Sequence, residues 1–462
     1  MFFRRISVLF LFCLFLQTEP NLVQSLKNEA LANQPTFNSL TELCRVAPKR
    51  LSGSAGAEIA VQWAKAEMKA LGLENVRLEA VQVPHWERGP VEALRFQDAK
   101  LAETFPLPVT ALGGSVGTNG PLTAQVIEVQ SFEELQKKAA LAKGKFIFFN
   151  RAFDNTLANP FEAYSGAVNQ RSRGAIEAAK VGAIGAIVRS MTNRLDDFPH
   201  TGAMRYDENI PQIPSLAVST LGAERLSHLL KRDPNLKLEM ELSCQTFPDT
   251  TSYNVVGELK GSQFPEQILV VGGHLDAWDL AQGAHDDGAG VCQSMHALGL
   301  LKKTGFIPKR TLRVVCFMNE ENGLRGGRGY YEQHLAEMDR HVLAMESDRG
   351  GFTPRGFGTD ASGPVMEAFR QIVAELSEIG ADHIELGHGG ADIGPMAKSG
   401  VIQVGYIPDA QRYFDFHHAA TDTIDGVNPR ELELGTVAMA AFLYRAAGLE
   451  NLPKNPVTHE SE

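Results

Sequence analysis

The sequence is poor in cysteine, with five in 462 residues, and no two of them form a CxxC pair. After the first 25 residues the cysteines are scattered: Cys44, Cys244, Cys292 and Cys316. This spacing excludes a zinc knuckle and a disulfide framework, but it is compatible with a single disulfide bridge whose partners the sequence does not identify. Cys316 lies in the apolar segment LRVVCFM, which is typical of a buried strand and predicts an inert thiol.

The sequence also lacks a cluster of basic residues, and its formal net charge is −11. Nucleic acids and anionic membranes attract basic surfaces, so this charge argues against both as partners. The composition, 44% hydrophobic and 21% charged, is typical of a soluble globular protein. A chain of 462 residues predicts two domains, or one domain with a large insertion.

Beyond the N-terminus, no apolar run is long enough to span a membrane, and no Asn-x-Ser/Thr sequon is present. The first residues combine the basic start MFFRR with the apolar run ISVLFLFCLFL. This run is shorter than the ~20 residues of a spanning helix. The pattern predicts a secretory signal peptide over residues 1–25, cleaved after Ser25, with an uncleaved anchor as the alternative. We therefore expect a secreted or periplasmic protein without stable membrane association.

From Tyr253 onward, short apolar runs alternate with helical stretches. The runs QILVVGGH, TLRVVCFMNEE and HVLAMESD are typical of strands that are buried on both faces of a parallel sheet. In open α/β sheets, functional residues gather at the carboxyl ends of the strands. Each of these three runs ends in histidine or acidic residues, which predicts that they contribute to one site.

The stretch GGHLDAWDLAQGAHDDGAG, from Gly272 to Gly290, holds two histidines and four aspartates. The later candidates are Glu320, Glu321, Asp348, His417 and His418. Carboxylates that converge without lysine or arginine repel one another, and a bound metal ion removes that repulsion. Imidazole and carboxylate ligands without thiolate suit an open, catalytic zinc site.

The ordered motifs H-x-D, GAHDDGAG, NEE, ESD and HHAATDT resemble the M28 family of co-catalytic zinc peptidases, and RLSGSAG, GGADIGPM and FHH resemble its carboxypeptidase subgroup. The resemblance implies an α/β fold of the phosphorylase/aminopeptidase type, in which helices flank a mixed, mainly parallel sheet. It also implies an inserted protease-associated domain. After the signal peptide, the expected divisions are the N-terminal part of the peptidase domain (26–115), the insert (116–248), the catalytic part (249–450) and a tail (451–462).

The resemblance implies two Zn²⁺ per chain as cofactors. His274 and Asp348 would bind one ion, and Glu321 and His418 would bind the other. Asp286 would bridge the two ions.

Three further residues receive catalytic roles from the resemblance. Glu320 would be the general base, and Asp276 would hydrogen-bond to His274 and orient it. His417 stands where many members of the family have a tyrosine, so it could stabilise the oxyanion, with simple packing as the alternative. His418 is preferred over His417 as the ligand because of its spacing to the aspartate in HAATDT. Asp279, Asp287 and His285 are interpreted as structural or rim residues.

The implied function is exopeptidase action on dipeptides or short peptides with free termini. The sequence is also compatible with a homodimer. One alternative is an M20-type amidohydrolase, in which the second aspartate lies much farther from the first motif. Another is a non-catalytic binding relative, and a third is a cyclase-like protein with one zinc. We interpret GLRGGRG as a turn that enters a helix beside the metals. We interpret GHGGADIGPM, around Asp392, as pocket wall, with a plain loop as the alternative.

Overall fold

The computed structural model describes residues 21–98, 103–387 and 389–456. Residues 1–20 of the predicted signal peptide and residues 457–462 of the predicted tail lie outside the described residues. Within the described part of the chain, no helix has the length and apolar character that a membrane crossing requires.

The first helix, Leu22–Asn33, includes the predicted cleavage site. Its residues Leu22, Val23 and Leu26 are buried in the core. Cleavage after Ser25 would fall within this helix and remove Leu22 and Val23, and the cleavage site stays a prediction.

The helices have the following bounds: α1 Leu22–Asn33, α2 Pro35–Val46, α3 Ala55–Ala70, α4 Phe132–Lys137, α5 Ala139–Ala142, α6 Pro160–Ala167, α7 Asn169–Lys180, α8 Thr220–Arg232, α9 Ala289–Thr304, α10 Arg325–Gln333, α11 Gly363–Ala374 and α12 Pro429–Gly448. The strands have the following bounds: β1 Glu74–Glu87, β2 Glu92–Asp98, β3 Glu103–Pro106, β4 Val109–Ala111, β5 Leu122–Val129, β6 Phe146–Phe149, β7 Gly185–Arg189, β8 Ser215–Val218, β9 Lys237–Leu242, β10 Gln245–Leu259, β11 Phe264–His274, β12 Arg310–Phe317, β13 His341–Glu346, β14 Pro354–Thr359, β15 His383–Leu386 and β16 Ile402–Pro408.

In the described ranges, the strands form two sheets of eight strands each. The first sheet has the order β1-β10-β12-β11-β13-β16-β14-β15. Its centre, from β12 to β16, is parallel, and antiparallel pairs join β1 to β10, β10 to β12 and β14 to β16. Strands β12 and β13 are buried along their whole length, and helix α9 packs against β11, α1, α2 and α12. The predicted mixed α/β fold, with helices flanking the sheet, is confirmed.

The second sheet has the order β3-β2-β9-β5-β6-β7-β8-β4. The insert predicted over residues 116–248 takes in β5 to β9, whereas β2, β3 and β4 precede it. These early strands join the sheet through distant partners, because β2 pairs with β9 and β4 pairs with β8. The structure therefore starts this sheet at Glu92 rather than near residue 116. Pairing over such a separation leaves no local pattern in the sequence.

Arg88 lies at the junction of the two sheets and is buried. Its guanidinium binds Asp279, in the loop after β11, with Nη2 2.6 Å from Oδ1. It also contacts the Glu92 carboxylate at 3.0 Å, the Thr110 hydroxyl at 2.7 Å and the main-chain oxygen of Ala111 at 2.6 Å. One buried cation thus ties a loop of the first sheet to the start of the second.

Replacing Arg88 tests this junction. Arg88→Met should lower the free energy of unfolding by about 3–5 kcal/mol, because Asp279 and Glu92 lose a buried cationic partner. Arg95→Met is the matched control, since the Arg95–Glu239 pair is partly exposed and its loss should cost about 1 kcal/mol or less. Denaturant unfolding measures both values, and equal losses in the two variants would contradict the assigned role.

Candidate metal centre

Three neighbouring parallel strands of the first sheet lead to histidine or acidic side chains. Strand β11 ends at His274, Glu320 and Glu321 follow β12, and Asp348 follows β13. The structure brings these side chains to one edge of the sheet, as expected for the carboxyl ends of parallel strands. His274 Nε2 lies 3.4 Å from Asp348 Oδ1.

Asp286 lies at the centre of the group. The chain after β11 forms a short turn, Ala284–Gly288, that carries Asp286 before α9 begins. Its Oδ1 lies 3.2 Å from His274 Nε2, and its Oδ2 lies 3.4 Å from His418 Nε2. His418 Nε2 is also 3.1 Å from Glu321 Oε2. One carboxylate therefore faces two separate groups of potential ligands.

The adjacent histidines His417 and His418 both approach Asp286. His417 Nε2 lies 3.9 Å from Asp286 Oδ2, compared with 3.4 Å for His418 Nε2, and the two rings stack with centroids 3.5 Å apart. Burial lowers the pKa of His417 to about 3, so its imidazole is neutral at pH 7. The shorter distances favour His418 as the ligand and leave His417 beside the centre.

Asp276 contacts His274 through its main chain. The main-chain oxygen of Asp276, rather than its carboxylate, lies 2.9 Å from His274 Nδ1 and orients the ring. The carboxylate instead accepts the backbone N–H groups of Asn319 at 2.7 Å and Glu320 at 3.1 Å. Asp276 thus orients His274 through its main-chain oxygen, while its carboxylate faces the loop after β12. It positions Glu320.

Buried carboxylates hold the backbone of the turn around Asp286. Asp422 accepts the backbone N–H of His285 at 2.7 Å and that of Asp286 at 3.1 Å. Asp287 accepts the backbone N–H of His274 at 3.0 Å. Asp287 and Asp422 thus support the backbone around the metal loop, and the role of Asp422 was not predicted. Asp287 also forms a group with His274 and Asp348 whose ligand atoms lie within 4.8 Å of one another.

Arg50 supports the same loop and is fully buried. Its guanidinium donates to the main-chain oxygens of Leu275, Gln282 and Gly283. The RLSGSAG motif contains Arg50, but the motif alone gives no indication of these distant partners.

Helix α7 and the loop between β7 and β8, beside the second sheet, contribute contacts to His418 that the sequence did not predict. The main-chain oxygen of Thr201 lies 3.3 Å from His418 Nδ1, and Arg171 Nη1 lies 3.2 Å from the same nitrogen. The Thr201 oxygen can only accept and the Arg171 guanidinium can only donate, so the two contacts favour opposite tautomers of His418. Metal binding through Nε2 requires the tautomer in which Nδ1 carries the proton and donates it to Thr201.

The site is electrostatically strained without a cation. Burial, with the nearby Asp286 carboxylate, holds the pKa of Glu321 well above its usual value. Burial, with the Asp348 carboxylate, raises the pKa of Glu320 to about 8. Burial disfavours the charged imidazole of His274, yet Asp348 and Asp286 outweigh this effect and hold its pKa well above the usual value. A positive ion would favour the ionised form of every acid in the group.

The donor atoms fit a divalent metal ion. The ligand atoms of His274, Asp286 and Glu321 all lie within 4.8 Å of one another. Asp286 Oδ2 and Glu321 Oε1 are buried and have no hydrogen-bond partner among the described residues. Buried polar atoms are normally paired, so these two oxygens are suited to receive an ion.

The centre opens into a cavity of about 600 Å³, with walls from both sheets. His274, Asp286, Glu320 and His417 are exposed to this cavity. The described residues of GHGGADIGPM are not part of its lining, and Asp392 is fully buried. The predicted pocket role of that segment is therefore wrong, because the segment packs beneath α10, where a Cβ atom at Gly327 would clash with the Asp392 backbone.

Comparisons with known proteins identify the family. The model of peptidase family M28 matches residues 254–443. Carboxypeptidase Q of Bos taurus is 36% identical over 425 residues, which cover 91% of this chain and 87% of that protein. The chain belongs to peptidase family M28.

The solved structures agree with this assignment. The crystal structure of a peptidase M28 precursor from Shewanella amazonensis SB2B has a TM-score of 0.89 and 32% identity, and the match covers 95% of this chain and 98% of that one. A zinc aminopeptidase from Bacillus subtilis shares the fold, with a TM-score of 0.66 at 21% identity. The match covers 89% of this chain and 95% of that one. The predicted family and enzyme class, a metallopeptidase, are confirmed.

Replacing Arg50 tests how the metal loop is held. Arg50→Met should lower the free energy of unfolding by about 3 kcal/mol or more, because buried main-chain oxygens lose a charged donor. Arg45→Met, which removes an exposed pair with Glu42, should change it by about 1 kcal/mol or less. Unfolding is measured in the presence of a chelator, so that metal loss does not contribute. A similar small change in both variants would show that Arg50 does not hold the loop.

Proposed function

We propose that this protein is a two-zinc exopeptidase that hydrolyses dipeptides or short peptides with free termini. The observation that carries the proposal is the position of Asp286, whose two oxygens face His274 on one side and His418 on the other. A single carboxylate between two ligand groups is the arrangement that a bridged pair of ions requires.

His274 and Asp348 would hold one ion, Glu321 and His418 the other, and Asp286 both. Zinc is the proposed metal because imidazole and carboxylate donors without thiolate suit a catalytic zinc site. The fold neighbour from Bacillus subtilis is likewise named a zinc aminopeptidase. When bound, the ions would polarise the substrate carbonyl and lower the pKa of water towards neutrality.

Glu320 is the proposed general base. Its side chain lines the cavity beside His274 and Asp286, and its backbone N–H is held by the Asp276 carboxylate. As a carboxylate it would take a proton from the attacking water, whose oxygen bonds to the scissile carbonyl carbon. Glu320 would then pass this proton to the leaving nitrogen as the C–N bond breaks, giving a carboxylic acid and an amine.

His417 is the proposed oxyanion donor. It lines the cavity, and its neutral imidazole has one N–H to donate. The stacking of its ring on His418 also supports the alternative, in which His417 packs and orients its neighbour. Loss of turnover without loss of metal in His417→Phe would separate donation from ligand support.

We further propose that the second sheet is the inserted protease-associated domain, starting at Glu92, and that it limits substrate length. Its residues Phe161, Tyr164 and Met204 form part of the cavity wall. Secretion or a periplasmic location, and a homodimer, also remain proposals. The M20-type alternative is contradicted by the M28 match. A non-catalytic or one-zinc relative is disfavoured because the five ligands and Glu320 all lie around one cavity.

Substituting the base tests the mechanism. Glu320→Gln should keep the zinc content and lose about 10²–10⁴-fold in kcat, because a proton acceptor is removed and no ligand is lost. Glu332→Gln, on the exposed surface of α10, is the matched control and should retain activity. Zinc analysis and a dipeptide panel with free and blocked termini give both readouts. Loss of zinc in Glu320→Gln would show that Glu320 is the ligand and Glu321 the base. Cleavage of N-acetylated peptides would show that a free amino terminus is not required.

Acid should remove the metal. Because the pKa of His274 is held above its ordinary value of 6.5 in the metal-free site, protons begin to compete for Nε2 above that pH as the pH falls. Zinc content after dialysis should therefore begin to fall above about pH 6.5, fall further as the pH drops, and recover when the pH is raised. Retention of full zinc content down to about pH 5 would contradict His274 as a ligand.

A further inference from the structure

Two arginines on the cavity wall have no side-chain partner in the described part of the chain. Arg205 and Arg328 both line the cavity and are exposed, and neither guanidinium has a hydrogen bond or ion pair there. Neighbouring arginines differ, since Arg325 pairs with Asp249 and Arg171 donates to the Tyr164 hydroxyl at 2.7 Å. Arg205 and Arg328 are therefore available to a ligand.

The backbone that carries each arginine is fixed in place. Arg328 lies on α10, where Gly326 and Gly327 pack so closely on neighbouring backbone that no Cβ atom would fit. Arg205 lies in the second-sheet region, and its backbone N–H donates to the main-chain oxygen of Ser172 at 3.1 Å. The two guanidinium groups thus reach the same cavity from anchored segments on different sides.

The cavity lining carries side chains of both charges. Its described lining includes the carboxylates of Asp286, Glu320, Glu321 and Asp348 and the guanidinium groups of Arg171, Arg205 and Arg328. Three of the carboxylates are proposed zinc ligands, so the two bound ions would compensate the negative charge. Arg205 and Arg328 would then lack a counter-ion, and guanidinium binds carboxylate through paired, charge-assisted hydrogen bonds.

We propose that Arg205 and Arg328 bind the C-terminal carboxylate of the substrate while the metal centre acts on the peptide bond. The inference rests on the proposed peptidase function and specifies its substrate class. Carboxylate binding by these arginines, combined with hydrolysis at the metal centre, favours peptides that end within the cavity. A side-chain carboxylate of the substrate has the same chemistry, so the experiment must separate the two sources.

The test compares Ala-Ala, Ala-Ala-amide and Ala-Glu-amide as substrates. The native enzyme should prefer Ala-Ala over its amide by about 10-fold or more in kcat/KM, because one charged interaction is lost in the amide. Arg328→Met and Arg205→Met should each lower kcat/KM for Ala-Ala by about 10- to 100-fold, mainly through KM. Both should change the value for Ala-Ala-amide by about twofold or less. Arg325→Met is the matched control on α10 and should leave the preference unchanged.

A binding measurement provides a readout without turnover. In the zinc-loaded Glu320→Gln protein, calorimetry should find weaker binding of Ala-Ala-amide than of Ala-Ala, and Arg328→Met should remove this difference. Equal losses on acid and amide would overturn the inference. Ala-Glu-amide that performs as well as Ala-Ala and depends on the same arginines would assign them to a side-chain carboxylate instead. If the native enzyme cleaves none of these peptides, the proposed function fails; if it cleaves them without an acid preference, only this inference fails.

Discussion

The position of the Asp286 carboxylate is the constraint on which the rest of the site depends. Its two oxygens lie 3.2 Å from His274 Nε2 and 3.4 Å from His418 Nε2, in a buried region where Glu321 and Asp348 add further negative charge. Burying these charges lowers the stability of the folded protein unless a cation compensates the negative charge. We therefore interpret the surrounding contacts as a support that holds these side chains in place for metal binding.

That support comes mainly from backbone contacts of buried side chains. Asp422 and Arg50 hold the two ends of the loop that carries Asp286, and the Asp276 carboxylate holds the backbone before and at Glu320. The loop between β7 and β8 adds the Thr201 oxygen at His418. The ligands are thus placed by residues from distant parts of the chain, which explains how loop residues can be held rigidly enough for catalysis.

The strands and the candidate ligands could be predicted from the sequence because both leave local patterns. Apolar runs that end in His274, Glu320 or Asp348 predict parallel strands and the edge at which their ends meet. Contacts set by tertiary packing left no such pattern: Arg171 and Thr201 lie more than 200 residues from His418. The H-x-D spacing predicts the contact of Asp276 with His274 but does not distinguish a main-chain oxygen from a carboxylate.

Zinc stoichiometry in single-site variants tests the central claim most directly. The native protein should bind two zinc ions per chain, and His274→Ala and His418→Ala should each weaken mainly one of them. Asp286→Asn should weaken both, because the shared ligand loses its negative charge. A native protein with one tightly bound metal ion that is unaffected by Asp286→Asn would contradict the account.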